Sequence, residues 1–382
     1  MNSYFEHVKK NLGFGFMRLP MQGKQIDTTA TKQMVDLFLK NGFNYFDTAH
    51  GYHEGNSEIA IRECLTSRYP REKYILTNKL TNEYFKCEED IPPFFEKQLK
   101  ACGVDYFDFY LMHAQNKELY AKFQAKNAYS VVKTLKKAGK IKYFGISFHD
   151  KPEVLEQILQ ENPDIDVVQI QFNYMDYNDP AIESKKCYEV CRKYSKPIFV
   201  MEPVRGGCLA NLPPEAAGIL DQLHNGSPAS YAIRFAAGFE GIVMVLSGMS
   251  TLAQMQDNIN FMKNFQPLNK TETEAVFQVS KNLQKQNLIP CTACRYCIPE
   301  CPKKISIPDL FACMNAKKTY HDWNCDFYYD TVHTAKNGRA SDCIRCGKCE
   351  KICPQHLPVR DLLTYVAREF DSQSRVKDEY YH

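Results

Sequence analysis

Between residues 10 and 265 short uninterrupted apolar runs recur along the chain, and between them apolar positions return every three or four residues. The runs LGFGFM (12–17), FNYFD (43–47), YILTN (74–78), YFDFYLMH (106–113), YFGIS (143–147), VVQIQ (167–171), PIFVM (197–201) and GIVMVLS (241–247) predict strands buried on both faces. The stretches 30–41, 57–67, 89–102, 128–138, 152–160, 180–194, 228–238 and 251–263 carry the helical period. Eight strands, each followed by a helix, imply parallel pairing through right-handed crossovers. Eight such units over about 250 residues match a closed (β/α)8 barrel, an α/β fold. A doubly wound open sheet is the alternative. It lacks its G-x-G-x-x-G turn, because Gly13-Phe14-Gly15-Phe16 lies within the first strand and Arg18-Leu19-Pro20 follows. The pattern divides the chain into a barrel (1–266), a helical connector (267–288) that starts near Asn269, and a third region (289–382). The closing stretch DSQSRVKDEYYH is polar and predicts a loose end.

Composition changes the picture at the cysteines. Six of sixteen (Cys64, Cys87, Cys102, Cys187, Cys191, Cys208) are scattered, and ten fall between Cys291 and Cys353. A net charge of +3 makes no electrostatic case for nucleic acid or an anionic membrane. No apolar run is long enough to span a bilayer, and the first twenty residues lack signal-peptide features. The expected location is the cytoplasm, where clustered thiols point to metal rather than to disulfides.

Cys291-Thr-Ala-Cys294-Arg-Tyr-Cys297-Ile-Pro-Glu-Cys301-Pro302 and Cys343-Ile-Arg-Cys346-Gly-Lys-Cys349-Glu-Lys-Ile-Cys353-Pro354 each read C-x2-C-x2-C-x3-C-P. Three close thiolates wrap one face of a [4Fe–4S] cubane, and the fourth, before proline, serves the other cluster. Cys291, Cys294 and Cys297 therefore pair with Cys353, and Cys343, Cys346 and Cys349 with Cys301. Zinc uses C-x2-C pairs too, but four-ligand zinc does not explain the third and fourth cysteines at fixed offsets, twice. The region resembles bacterial-type two-cluster ferredoxin domains, which implies a ferredoxin-like, mainly helical module. It departs from them in the long segment 302–342, which holds Trp323, a predicted helix (IPDLFACMNAKKTY) and two cysteines off the motif spacing, Cys313 and Cys325.

In a barrel the chemistry gathers at the C-terminal ends of the strands. There the chain places Asp47 and Tyr52 after the second strand, Lys79 at the third and His113 at the fourth. A tyrosine hydroxyl, with an ordinary pKa of about 10, is a weak acid, and a neighbouring ammonium favours its phenolate. Lys79 can supply that charge, Asp47 can hold Lys79, and His113 can orient a carbonyl oxygen. The set suits protonation of a carbonyl as hydride reaches its carbon. Singly, each residue has a plainer reading: Asp47 as a helix cap, Lys79 as a solvated strand end, His113 as a core histidine, Tyr52 as packing. Together at three successive strand ends they read as catalytic. Ser147 reads equally as a helix N-cap. Glu202 and Arg205 read as a structural ion pair ahead of substrate contacts, His50, His53 and His149 as solvated loop positions ahead of a substrate gate, and Cys64, Cys102, Cys187 and Cys191 as core filling.

FDTAHGY followed by GNSE, then LTNK, YFDFYLMH, GKIKYFGIS, VVQIQFNY and SGMSTLAQMQDNI resemble, in order, the landmarks of the aldo-keto reductase superfamily over about residues 10–265. The resemblance implies a (β/α)8 barrel with Tyr52 as proton donor, assisted by Lys79 and Asp47, and His113 orienting the substrate. It implies that Ser147 and Gln169 hold a nicotinamide carboxamide. It places Met201 where an aromatic residue usually stacks on the nicotinamide, and Ser247, Gly248, Ser250, Gln254 and Asn258 along the rest of the cofactor. Phe148 stands where asparagine is usual. Gln254 stands where a basic residue is common, so the resemblance leaves NADP and NAD both open. The whole chain resembles the ferredoxin-fused branch of that superfamily.

Hydride transfer moves two electrons together, whereas a cluster moves one. The fusion therefore suggests two [4Fe–4S] clusters that relay electrons between an external carrier, such as a ferredoxin or flavodoxin, and the barrel mouth, where a flavin would be an alternative to nicotinamide. Two other readings are a plain carbonyl reductase with structural or sensing clusters, and a non-enzymatic electron-transfer protein on a retired barrel. The expected substrate is a small carbonyl or alcohol, with neither nucleic acid nor membrane as partner.

Overall fold

The computed structural model describes residues 5–179, 182–285, 287–320 and 324–372. Its contacts divide into two compact units, one of Met1–Val204 with Asn225–Glu274 and the other of Arg205–His224 with Ala275–His382.

The first unit is a closed barrel of eight parallel strands: β1 Leu12–Gly15, β2 Tyr45–Asp47, β3 Ile75–Leu80, β4 Phe107–Gln115, β5 Ile141–Phe148, β6 Val167–Gln171, β7 Ile198–Met201 and β8 Ile242–Ser247. β1 closes the ring against both neighbours, with Phe14 opposite Ser247 of β8 and Gly15 opposite Asp47 of β2. Gly13 is required inside. A Cβ there would lie 2.7 Å from Leu246 and 2.8 Å from Tyr45. The interior is packed by Tyr45, Phe109, Leu111, Val167, Phe199 and Met244. Phe5 and Val8 join that core from the N-terminal segment, Phe5 standing edge-on to Phe109 at 4.9 Å and to Tyr143 at 4.7 Å. Tyr45 and Ile75 of that core are the first residues of β2 and β3, so Phe5 and Val8 pack at the N-terminal end of the strands, away from the mouth at their C-terminal ends.

The strands lie where the apolar runs put them, with ends shifted by a few residues; β4 runs on to Gln115 and β5 begins at Ile141. The anticipated helices form as well, among them Thr28–Lys40, capped by Asp27, and Leu252–Met262, capped by Thr251. The segment 57–67 is helical over Asn56–Ile61 and then widens into π turns over Arg62–Thr66. The helix expected from 180 begins at Ser184; residues 180–181 lie outside the described residues. One short hairpin (Met21–Gln22 with Gln25–Ile26) and the helix Lys117–Ala125 were not anticipated. Within the span expected as a connector lies the helix Lys270–Lys285. Asn269 Oδ1 accepts from the Glu272 amide (2.9 Å) and Glu272 Oε2 accepts from the Asn269 amide (2.8 Å), a reciprocal cap.

The second unit is built as an internal repeat. An offset of 52 residues carries Cys291, Cys294, Cys297 and Cys301 onto Cys343, Cys346, Cys349 and Cys353, and Asp309 onto Asp361. Each motif is followed by a helix, Ile307–Tyr320 and Val359–Phe370. Leu310, Phe311, Met314, Leu363, Val366 and Phe370 from these helices form the core, with Tyr329 stacked on Phe370 at 4.4 Å. Cys313 and Cys325 are buried in this core. A further helix, Pro214–Asp221, also went unanticipated. Trp323 and the polar stretch from 373 onward lie outside the described residues. No helix among the described residues is long and apolar enough to cross a membrane.

Candidate functional site

Asp47 ends β2 and Lys79 is the penultimate residue of β3, so parallel pairing brings their side chains to the same rim of the barrel. Lys79 Nζ donates to Asp47 Oδ1 at 2.6 Å and to the Thr48 carbonyl at 2.9 Å. Lys79 is 1% exposed, which overturns the reading of a solvated strand end. Asp47 gives Oδ1 to this pair and caps no helix. Burial is the largest effect on both groups, pushing the Lys79 ammonium down and the Asp47 carboxyl up, with their contact opposing both shifts.

Tyr52 opens a single turn (Tyr52–Gly55) made tight by the left-handed His53 and Glu54. Its ring centroid lies 5.0 Å from Lys79 Nζ and 5.9 Å from the His113 ring, which meets it edge-on. His113 sits in β4 where the pairing to β5 shifts register between Met112 and Gln115, next to a left-handed Ala114. Such a bulge re-aims a side chain. His113 Nδ1 shares a proton with Thr81 Oγ1 at 2.7 Å. Burial, reinforced by Lys79 and His149, holds His113 well below the ordinary histidine range, so it is neutral at pH 7. The structure thus gathers all four residues on one mouth.

Behind them lies a polar cluster that sequence reasoning missed. Glu58 is fully buried, and His50 Nδ1 meets its Oε2 at 2.6 Å. Asn78 (2.8 Å) and Gln98 (3.1 Å) donate to its Oε1, and Asn78 Oδ1 accepts from the Lys79 amide at 2.8 Å. His50 is therefore a buried partner of Glu58, not a solvated loop histidine. His53 is half-buried, and burial lowers its pKa.

Ser147 lies within β5 and is no N-cap. Its Oγ accepts from the Ala114 amide at 2.7 Å, and the following helix, Pro152–Glu161, has no side-chain cap. Gln169 pairs in register with Ser147, is 2% exposed, and its Oε1 has no hydrogen-bond partner among the described residues. A buried acceptor in that state suits a ligand's N–H group, so this end fits a nicotinamide carboxamide. Met201 ends β7 half-buried, and Phe148 ends β5 fully buried. Ser247 Oγ accepts from Asn258 at 2.7 Å, and Gln254 Oε1 accepts from the Ser250 amide at 2.7 Å. Arg18, from the loop after β1, was not singled out by sequence. It packs on Gly248, its carbonyl accepts from Ser250 Oγ at 2.9 Å, and its guanidinium lies 3.8 Å from Glu202. Only its position just beyond a strand's C-terminal end could have flagged it.

Cysteines of the two motifs meet across the repeat. One recess is lined by Cys343, Cys346 and Cys349 together with Cys301. Cys291 and Cys297 each lie within electrostatic reach of Cys353, and Cys297 also of Cys349. Burial pushes Cys291 up to about 11, with Cys353 adding to it, and Cys349 up to about 11, with Cys343 and Cys301 adding. Backbone amides of Leu357, Gln355 and His356 work the other way on Cys353, favouring its thiolate. In both motifs the residues flanking the second cysteine are left-handed: Ala293 (φ 52) and Arg295 (φ 67), Arg345 (φ 56) and Gly347 (φ 75). That alternation turns successive N–H groups inward to make an anion-binding nest of the kind found at iron–sulfur sites. Thiols gathered under such amides, half-buried except for the buried Cys349 and the exposed Cys346, fit clusters whose iron supplies the missing positive charge.

A family model for the aldo/keto reductase family matches residues 11–281. The chain belongs to the aldo/keto reductase family. A 4Fe-4S dicluster domain follows it at residues 290–358. Glyoxal reductase of Bacillus subtilis (strain 168) is 29% identical over 204 residues, 53% of this chain and 68% of that protein. NADH-specific methylglyoxal reductase of Escherichia coli (strain K12) is 26% identical over 185 residues, 44% of this chain and 54% of that protein. Among solved structures, an aldo-keto reductase from Bacillus halodurans in its holo form superposes with a TM-score of 0.57 at 23% identity, covering 71% of this chain and 92% of that one. This aldo/keto reductase is an oxidoreductase that carries a C-terminal 4Fe-4S dicluster domain.

Proposed function

We propose that the barrel interconverts a small carbonyl compound and its alcohol, with Tyr52 as general acid and base. The buried constellation of Asp47, Lys79, Tyr52 and His113 carries this reading. Neutral His113 donates a hydrogen bond to the carbonyl oxygen and fixes its direction. As the carbonyl carbon takes hydride, the C=O π pair moves to oxygen, and that oxygen takes the Tyr52 proton. The Lys79 ammonium beside the ring stabilises the charge left on the phenolic oxygen. Asp47 holds Lys79 in place and charged.

A bound nicotinamide supplies the hydride. Gln169 and Ser147 would hold its carboxamide, Met201 would face its ring, and Ser247, Gly248, Ser250, Gln254 and Asn258 would line the remainder. No basic residue stands at 254 to grip a 2′-phosphate, which supports NADH as an effective donor alongside NADPH. Two [4Fe–4S] clusters would be held by Cys291, Cys294, Cys297 and Cys353 and by Cys343, Cys346, Cys349 and Cys301. They supply one-electron transfer to or from an external carrier. The proposed organisation is a barrel domain over 1–266, a helical connector over 267–288 and the cluster domain over 289–382.

The names of two relatives suggest glyoxal and methylglyoxal as first substrates. Anaerobic turnover of both by the cluster-loaded protein is measured with NADH and with NADPH, following nucleotide and cluster absorbance separately. Tyr52→Phe is expected to lower kcat about 10²–10⁴-fold and leave the cluster spectrum intact. Undiminished turnover in that variant would overturn the assignment of Tyr52. Cluster bleaching by either nucleotide would support the relay, and its absence during full turnover would argue for a barrel that works independently of the iron.

A further inference from the structure

The internal repeat allows the two cluster sites to be compared position by position. Thr292 follows the first cysteine of the first motif, and Ile344 is its counterpart, 52 residues on. Thr292 is 2% exposed, because the backbone of the Arg205–Gly207 turn lies directly on it. A Cβ on Gly206 would come within 2.3 Å of the Thr292 carbonyl oxygen. Ile344 is 57% exposed, and the neighbouring Cys346 is exposed where its counterpart Cys294 is half-buried. One motif loop is roofed over by another part of the chain, and the other is open to solvent.

The open loop is also basic. Lys303 lines the same recess as Ile344 and Cys346. Lys304, Lys348 and Lys351 are exposed on the adjoining residues, and none of these four lysines has a carboxylate within 4.0 Å among the described residues. Arg345 and Arg360 are paired with Asp361 and Glu350, and Glu300 is the acid on the recess wall. An exposed apolar side chain that shares its recess with one unpaired lysine, with three more on residues adjoining that recess, beside an exposed ligand-type cysteine, favours a partner with an acidic rim around its own redox centre.

We propose that the surface around Ile344, Lys303 and Lys348 is the docking site for an acidic one-electron carrier protein, which makes the second cluster the port through which electrons cross between carrier and chain. In the reducing direction each encounter oxidises the carrier by one electron and reduces the cluster by one, and no proton need move. The inference rests on Cys301, Cys343, Cys346 and Cys349 being that cluster's ligands.

The full cluster-loaded chain is mixed anaerobically with a reduced, acidic [2Fe–2S] ferredoxin, and bleaching of its own clusters is followed by stopped flow. Lys303→Glu with Lys348→Glu is expected to lower the second-order rate constant at least tenfold, and to flatten its dependence on salt. Iron content and the EPR-monitored potentials should stay unchanged. Ile344→Glu, which adds an acid without altering a lysine or a cysteine, should slow the reaction as well and serves where the double variant loads poorly. Lys97→Glu with Lys100→Glu, on the barrel helix Ile91–Cys102, changes net charge equally and should leave the rate within about twofold. Equal slowing in both double variants, or none in either, would overturn the docking site while leaving the ligand assignment standing. A wild-type protein with a single cluster signal would overturn both.

Discussion

Lys79 Nζ and Asp47 Oδ1 stand 2.6 Å apart with side chains 2% and 6% exposed, so each charge depends on the other for its solvation. Removing one partner of such a pair strands the other. Asp47→Asn alone should destabilise the protein by about 3–5 kcal/mol and lower kcat, since Lys79 then loses its anchor. Adding Lys79→Met should restore most of the stability and none of the activity. Anaerobic urea unfolding set beside kcat separates the two effects. A double variant no more stable than Asp47→Asn would mean that the charges are not coupled as the geometry implies.

His113 titrates well below its ordinary value of 6.5 because burial, Lys79 and His149 all oppose its protonation. In the unfolded chain it regains about that ordinary value, so between the two pKa values the unfolded state binds more protons. Stability from this group is therefore complete above about pH 6.5 and falls on acidification towards the folded pKa, by at most about 1.4 kcal/mol per pH unit. The urea midpoint should decline below pH 6.5 in the wild type, and less steeply in His113→Gln. Parallel declines would assign the acid sensitivity elsewhere.

Much of the barrel was legible because strands buried on both faces read as continuous apolar runs, and the mouth residues stand directly at their ends. The packing of the N-terminal segment was not. Phe5 and Val8 lie in a segment without a period, and only the closed interior shows where they go. The helix Lys117–Ala125 buries only Tyr120 and Phe123, too few to print a helical stripe on the sequence. Ser147 looked like a cap because it precedes a helix, yet the strand runs through it to Phe148. Glu58 stayed hidden because a buried carboxylate is recognisable only by its partners, and His50, Asn78 and Gln98 come from separate parts of the chain. At the cysteines the dicluster domain was legible because the spacing of a ligand motif is local; the roof over Thr292 comes from some 85 residues earlier and is invisible in the motif.

That unseen network has a measurable cost. In Glu58→Gln an amide faces His50, Asn78 and Gln98, and at least one buried donor loses its acceptor. The expected loss is about 1–3 kcal/mol. Because Asn78 Oδ1 also takes the Lys79 amide at 2.8 Å, kcat should fall while KM moves little. An unchanged kcat at reduced stability would make the network structural only.

Gly206 is held at φ 66, and its missing Cβ is what lets the Thr292 carbonyl approach. Gly206→Ala must both strain the turn and push the loop that carries Cys291. Left-handed strain and overpacking together cost on the order of 2–4 kcal/mol. The loss should fall on the first cluster, lowering iron from about eight towards about four per chain, with the second cluster's EPR signal retained. Gly207→Ala, at φ 100 but with only the Asn211 side chain near its added methyl at 3.9 Å, should be milder. Equal loss of both clusters in Gly206→Ala would show that the turn supports the whole domain rather than one loop.

The crossed assignment of the fourth cysteines makes the sharpest distinction. Cys301 belongs by sequence to the first motif, yet it shares a recess with Cys343, Cys346 and Cys349. Cys353 belongs to the second motif, yet it lies within electrostatic reach of Cys291 and Cys297. Each cluster would then tie the two halves of the repeat together, and removing one ligand should damage the cluster of the other half. Cys301→Ala and Cys346→Ala should abolish the same component of the reduced EPR spectrum, while Cys353→Ala and Cys294→Ala abolish the other. If Cys301→Ala instead behaved like Cys294→Ala, each motif would bind its own cluster. The recess around Cys301 would then have to be rebuilt around a different ligand set.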